Sequence, residues 1–263
     1  MTGPASETAS KARIAQWSNR LTQARLGGPD ARIDVLPEDS ALWADDEAYA
    51  VQDAILRAMN LAPGGWKIGS KSLDGPAQCA PLPACDVHRG PATLEHRAFA
   101  KPALELEVAF VLSRDFRAHG GPYDARTVLG SIATVHAAIE IVSSRYVTWP
   151  NVDKRLQLAD LLNHGALIVG EGVRYDEHFP FGAPSMRFLV DDVNVVQGIP
   201  ANPAGDPRRL PVWLVNHCTA RGLDVPAGTV LTCGSYTGMH FPAGPAVARG
   251  EIAGLPPVQL TLD

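Results

Sequence analysis

Four residues are of types and spacings that could act together. They are Glu105 and Glu107 in "PALELEVAF", Glu140 in "AIEIVSSR" and Lys67 in "GGWKIGS". Side chains alternate faces along a strand, so Glu105 and Glu107 project together while Leu104, Leu106, Val108 and Phe110 face the other way. The Glu face continues as Ala109 and Val111, which confines its polar character to one end of an otherwise buried strand. Taken alone, the pair reads more readily as a solvated edge than as a ligand pair. Glu140 changes the balance, because Ile139 and Ile141 flank it on one face and Ala138 and Val142 on its own. A carboxylate in such surroundings is costly unless paired, protonated or bound to a cation. Pairing with Arg145 or Arg114 is one solution. Three such carboxylates in one body argue for the other, and all-oxygen ligation suits Mg²⁺ or Mn²⁺. Lys67 shares a strand face with Gly65 and Gly69, which leaves open space above it. A surface lysine in a turn and a substrate-facing lysine both fit that pattern. The second would pair with an oxoacid or exchange protons with it.

These residues need strands to hold them. From Gly64 onward, short apolar runs are separated by Gly, Pro and Asp: "GGWKIGS", "ELEVAFVLS", "AAIEIVSS", "ALIVGEG", "MRFLVDDVNVV", "GTVLTCGS" and "PPVQLTL". Helical spacing is confined mainly to the first sixty residues. Ile14, Trp17 and Leu21 mark a helix over Ser10 to Leu26, and Ala48, Val51, Ile55 and Met59 mark a second that starts at Asp45, Asp46 and Glu47. A helix is also expected from Pro211 to Arg221 and a short one from Ala125 to Ile132. Helices do not alternate with strands, which favours a mixed α+β domain with a coiled or barrel-like sheet over regular βαβ winding. The expected division is a helical arm or cap at 1–62 and a β-rich catalytic domain at 63–263.

The composition excludes several classes. With 263 residues, 46% hydrophobic and 19% charged, the chain can bury a sizeable core. Gly 24 and Pro 22 favour turns and short strands over a helix bundle. Net charge is -5 with Lys and Arg scattered, so there is no basic stripe for nucleic acid. No apolar run approaches the roughly 20 residues of a membrane span, and the amino terminus has no signal-peptide apolar core. A cytoplasmic location is expected. Cys79, Cys85, Cys218 and Cys233 form no CxxC pair and read as small buried thiols, and the eight histidines form no HExxH-like cluster.

In order and spacing, "AYAVQ", "GWKIGSK", "ELEVAFVL", "AIEIVSSR", "ADLLNHGALIVG" and "GLDVPAGTVLTCGSYTG" resemble the fumarylacetoacetate hydrolase superfamily. Within it they resemble the 2-keto-4-pentenoate hydratase group, which also contains oxalocrotonate decarboxylases. The resemblance runs from about Tyr49 to the carboxyl terminus. It implies a mixed β-roll fold with a helical N-terminal segment, Glu105, Glu107 and Glu140 as Mg²⁺ or Mn²⁺ ligands, and Lys67 as the active-site lysine. It also implies a small 2-oxo acid substrate and a homo-oligomer, with a possible complex with a related decarboxylase or hydratase. The implied reaction is hydration of a 2-hydroxy-2,4-dienoate in aromatic-compound catabolism. The alternatives are a 4-oxalocrotonate-type decarboxylase or a catalytically silent partner subunit.

The sequence departs from the group's pattern in two places. Ser143 stands where relatives often carry Asp, and "ADLLNHG" puts Asn163 and His164 where substrate-side serines usually lie. His164 is thus a candidate proton donor and Asn163 a candidate substrate contact; a structural hydrogen bond is the other reading of His164. Ser235 and Tyr236 in "CGSYTG" are further substrate-binding candidates. The superfamily's carbon–carbon hydrolases commonly carry an Asn-Tyr-x-x-His-x-x-Glu pattern near the amino terminus. The first histidine here is His88, so hydrolase ranks behind hydratase and decarboxylase.

Overall fold

The computed structural model describes residues 4–37 and 43–263. Two helices come first, α1 (Pro4–Gly27) and α2 (Asp45–Met59). The second has an acidic first turn, which complements the helix dipole. The backbone N–H of Ala44 donates to Glu47 Oε2 at 3.0 Å, and left-handed Asn60 ends the helix. Trp17, Leu21, Val51 and Ile55 are buried in one cluster with Ile68, Leu106 and Ile141, so both helices share a core with the strands.

Among the described residues, twelve strands form two curled sheets, giving a mixed α/β architecture. The larger sheet contains β1 (Pro63–Ser70), β2 (Ala77–Pro83), β3 (Val87–Arg89), β5 (Ala103–Leu112), β6 (Ile132–Val142), β7 (His164–Arg174) and β10 (Val230–Ser235). Its order is β2-β1-β10-β5-β6-β7-β3. The smaller contains β4 (Ala92–Leu94), β8 (Met186–Val190), β9 (Val193–Asn194), β11 (Ala246–Ile252) and β12 (Val258–Leu262), in the order β4-β12-β11-β8-β9. The sheets meet closely: a Cβ on Gly250 of β11 would run into Leu106 of β5.

Three shorter helices connect strands: α3 (Ala125–Leu129), α4 (Lys154–Ala159) and α5 (Arg209–Ala220). The stretch expected to be helical up to Ile132 ends at Leu129, because Ile132 already opens β6. "MRFLVDDVNVV" is a hairpin rather than one strand, with Asp191 and Asp192 at positive φ in its turn. Strand β2 has no counterpart in the apolar runs because its sequence, AQCAPLP, carries prolines. An edge position lets a strand carry them, and β2 lies at the end of the sheet.

Both faces of β5 are covered. Leu104, Leu106, Val108 and Phe110 enter the large core, while Ala109 joins a smaller cluster with Leu82, Ala138 and Leu167. The carboxylates occupy the end of that second face.

Candidate active site

Four adjacent strands bring the chemistry to one sheet face. Glu105 on β5 lies directly opposite Glu140 on β6, Glu107 is in register with Ser235 on β10, and Lys67 on β1 is in register with Thr232. Carboxylates directly opposite one another are unfavourable unless a positive charge intervenes. Oxygens of Glu105, Glu107 and Glu140 all lie within 4.8 Å of one another. Lys67 Nζ donates to Glu140 Oε1 at 2.6 Å and to the carbonyl of Leu162 at 3.1 Å. Glu140 therefore pairs with Lys67, and Arg145 goes elsewhere. Arg145 Nε donates to Asp160 Oδ1 at 2.6 Å and Nη1 to the His164 carbonyl at 2.8 Å.

A register shift in β10 between Thr232 and Ser235 shapes the floor of the site. Gly234 sits there at φ 91°, where a side chain would be strained, and its N–H donates to Glu107 Oε2 at 3.0 Å. The Thr232 hydroxyl donates to the same oxygen. The two lysine-flanking glycines have different jobs. A Cβ on Gly65 would strike the Val230 carbonyl, whereas above Gly69 the space is open.

The strands open into a cavity of about 320 Å³. Lys67, the three glutamates, Asn163 and Ser235 line it, with Trp149, Val142 and Met239 as apolar wall and Lys71 and Lys154 also in the lining. Asn163 arrives by an unusual route. Leu161, Leu162 and Asn163 are consecutive left-handed residues with φ of 50°, 52° and 59°. Such conformations are costly for residues other than glycine and persist only where the surroundings enforce them. Here Asp160 enforces them from one side, held by the Arg145 backbone N–H at 2.9 Å and its guanidinium. The turn delivers the Leu162 carbonyl to Lys67 and leaves Asn163 Oδ1 buried without a partner. Asn163 Nδ2 donates to Gln157 Oε1 at 2.9 Å.

Two sequence-derived candidates are displaced from the cavity lining. His164 is fully buried behind Glu140, its Nδ1 at 3.2 Å from Glu140 Oε1, and does not reach the lining. It meets the cavity only through Glu140, the kind of structural hydrogen bond that is the other reading of this residue. Tyr236 follows the β10 shift to the opposite side, where its hydroxyl donates to the Phe181 carbonyl at 2.7 Å; it is corrected from substrate contact to core residue. Gln157 and Trp149 were missed because neither carries a motif of its own.

The electrostatics match a site lacking positive charge. Burial and the Glu140 charge raise the Glu105 carboxyl to about 7, with Lys67 and Ser235 pulling it down. Burial and the two neighbouring carboxylates raise Glu107 to about 8. Burial also acts to raise Glu140, but Lys67 and His164 outweigh it and hold Glu140 below its ordinary value. Burial would lower Lys67, yet the glutamates win and keep it charged. Burial lowers His164 and keeps it neutral, so its Nδ1–H donates to Glu140.

The donors fit a divalent cation. Ionised, three carboxylates and one ammonium sum to −3 + 1 = −2. Glu140 Oε2 is buried with no hydrogen-bond partner, and every offered donor is a hard oxygen.

Comparison with known proteins locates the chain. No family model matches it. It is 29% identical over 157 residues to a TodF product hydratase of Pseudomonas putida, covering 59% of this chain and 57% of that protein. It is 25% identical over 168 residues to a 2-keto-4-pentenoate hydratase of Paraburkholderia phymatum, covering 63% of this chain and 62% of the relative. The matches thus span about three fifths of the curated relatives' length. In fold, the chain superposes on 4-oxalocrotonate decarboxylase from Pseudomonas putida G7, complexed with magnesium and adipate, with a TM-score of 0.82 at 18% identity. That match covers 96% of this chain and 98% of that one. The resemblance drawn from the motifs therefore stands in both sequence and fold: this chain is similar to the 2-keto-4-pentenoate hydratase and oxalocrotonate decarboxylase group of the fumarylacetoacetate hydrolase superfamily.

Proposed function

We propose that this chain is a divalent-metal-dependent hydro-lyase that adds water to a 2-hydroxy-2,4-dienoate of the 2-keto-4-pentenoate type, giving a 4-hydroxy-2-oxo acid. The observation that carries the reading is the convergence of Glu105, Glu107 and Glu140 within 4.8 Å, with Lys67 on Glu140. Relatives named as hydratases point to the same reaction. Glu105, Glu107 and Glu140 would hold Mg²⁺ or Mn²⁺. When bound, such an ion supplies chelation of the 1-carboxylate and 2-oxygen and stabilises negative charge there.

The remaining chemistry falls to the chain's own groups. Lys67, kept charged by its glutamates, pairs with the anionic oxygens of the substrate and holds a proton beside them. Asn163, fixed by its Nδ2 bond to Gln157, lines the cavity as a substrate contact. Ser235 faces the substrate beside Glu105. Trp149, Val142 and Met239 exclude bulk water around the diene. In this reading the fold is the superfamily's mixed β-roll, 1–62 is an arm to the catalytic body at 63–263, and the chain works in aromatic catabolism as a homo-oligomer.

Lys71 and Lys154 favour a second reading. Two cations lining the substrate cavity suit a remote carboxylate, which a 4-oxalocrotonate-type decarboxylase substrate carries. One assay separates them. Metal-loaded protein is incubated with 2-hydroxypenta-2,4-dienoate and with 2-oxo-3-hexenedioate, following dienoate absorbance and carbon dioxide release. We expect hydration without carbon dioxide; carbon dioxide from the second compound alone selects the decarboxylase. No turnover of either, with metal still bound, sinks both readings. Lys67→Met should bind metal and lose roughly 100-fold or more in turnover.

A further inference from the structure

A second cavity, of about 280 Å³, lies behind the first and shares none of its lining. The carboxyl end of β6 divides them: Val142 lines the glutamate cavity, while Ser143, Ser144 and Arg145 line the other. Three arginines line this second space, Arg25 at the end of α1, Arg32 just beyond it, and Arg145, whose guanidinium is engaged by Asp160 and the His164 carbonyl. Asp86 is the one carboxylate in the lining, and it makes no ion pair among the described residues.

Arg25 is poorly satisfied for a buried cation. Its side chain is 7% exposed, and its Nη2 makes only long contacts, at 3.3 Å to the His164 carbonyl, 3.4 Å to the Asp160 carbonyl and 3.6 Å to Asp160 Oδ1. Its Nε is buried without a partner, and Nη1 has no hydrogen bond. Asp160 is already committed to Arg145, which engages it through the backbone N–H and Nε. Burial and the adjacent Arg145 pull the Arg25 guanidinium down to about 9. A guanidinium carries five N–H donors, and a buried one without a full complement of acceptors is costly. Arg32, whose Nε donates to the Pro29 carbonyl at 3.2 Å, is the second arginine of the lining. Met59, Leu61 and Phe99 form an apolar part of the wall, and His88, Cys85 and the two serines a polar part.

We propose that this cavity is a second ligand site, distinct from the glutamate centre, that takes a small organic carboxylate. Its carboxyl group sits against Arg25 and Arg32 and its short hydrocarbon body against Met59, Leu61 and Phe99. Arg25 supplies the donors its own surroundings leave unused, and a volume of about 280 Å³ has room for a small organic acid. The site adjoins the active centre through one residue, since Arg25 and Arg145 both donate to the carbonyl of His164, whose ring holds Glu140.

The test uses propionate and inorganic phosphate as probes on the full-length protein, with Mg²⁺ and after chelation, read by titration calorimetry. Propionate should bind with the same affinity in both states, because the cavity does not contain the glutamates. Arg25→Met and Arg32→Met should each weaken it by about tenfold or more, and Glu105→Gln should leave it unchanged. Crystals of the unaltered protein soaked in 3-bromopropionate should show the bromine anomalous signal beside Met59 and Phe99, a readout that does not depend on how the variants fold. The proposal fails if the bromine is absent from this cavity at a saturating soak, or if neither arginine substitution changes propionate affinity. Phosphate binding without propionate binding would also overturn it, since the apolar wall would then play no part.

Discussion

Asp160 and Glu140 are both wholly buried carboxylates, and their surroundings differ. Asp160 accepts from the Arg145 backbone N–H, from Arg145 Nε and from the Ser144 hydroxyl, so both its oxygens are occupied. Glu140 receives Lys67 and His164 on one oxygen and nothing on the other, and it faces two further carboxylates. The first arrangement is complete without any addition and pins a loop. The second keeps an unfilled acceptor beside two further carboxylates, which is where the proposed cation would sit. Burial of charge alone does not distinguish a structural ion pair from a functional centre; the unfilled acceptor does.

The comparison can be broken by removing one carboxylate from each side. Glu107→Gln should cost more metal affinity than the ~10–100-fold typical of losing an outer-shell partner, measured by calorimetry with Mg²⁺ or Mn²⁺. In the metal-free protein the same substitution should raise the unfolding midpoint, because it relieves repulsion among the three glutamates. Asp160→Ala should do the opposite to stability, lowering it by about 3–5 kcal/mol in urea unfolding, since it strands a buried arginine. Equal destabilisation by both substitutions in metal-free protein would erase the distinction.

pH sharpens the same contrast. Glu105 at about 7 and Glu107 at about 8 lie above the 4.5 of an exposed glutamate, so the folded chain holds more protons than the unfolded chain between those values. Stability of the metal-free protein should therefore fall as pH rises from about 6.5 to 8. His164 and His217, both lowered by burial, work the other way near pH 6.5, where the unfolded chain still protonates them, and so offset part of the loss at the low end of the window only. Saturating metal should flatten the dependence and bind more tightly at pH 8 than at 6.5, because it displaces protons. A metal-free midpoint that climbs across this interval would contradict the picture. The smallest effect is expected from Tyr236→Phe, about 1 kcal/mol of stability for its bond to the Phe181 carbonyl, with KM unaltered.

Alternation in "ELEVAF" was enough to put Glu105 and Glu107 on one face, and the apolar neighbours of Glu140 were enough to mark it as unusual. Their meeting depends on strand register, Glu105 opposite Glu140, which no local pattern encodes. Tyr236 misled because a one-step shift in β10 reverses every face beyond it, and only Gly234 hints that the shift exists. The turn through Leu161, Leu162 and Asn163 was illegible for a related reason. Leucine disfavours the left-handed conformation, so composition argues against the structure that Asp160 and Arg145 impose. His164 was placed near the right glutamate but in the wrong layer, since periodicity gives a face and not a depth.

Residue 162 serves the site twice, through its carbonyl on Lys67 and its side chain on the cavity wall. The two contributions are separable. Exchange of the leucine for another residue that tolerates the turn reshapes the wall while the peptide oxygen stays on the lysine, because that oxygen belongs to the path of the chain and not to the identity of the residue. On the proposed reading, substrate preference at this position can diverge without disturbing Lys67 and the glutamates, making it a natural place to begin directed evolution of substrate range.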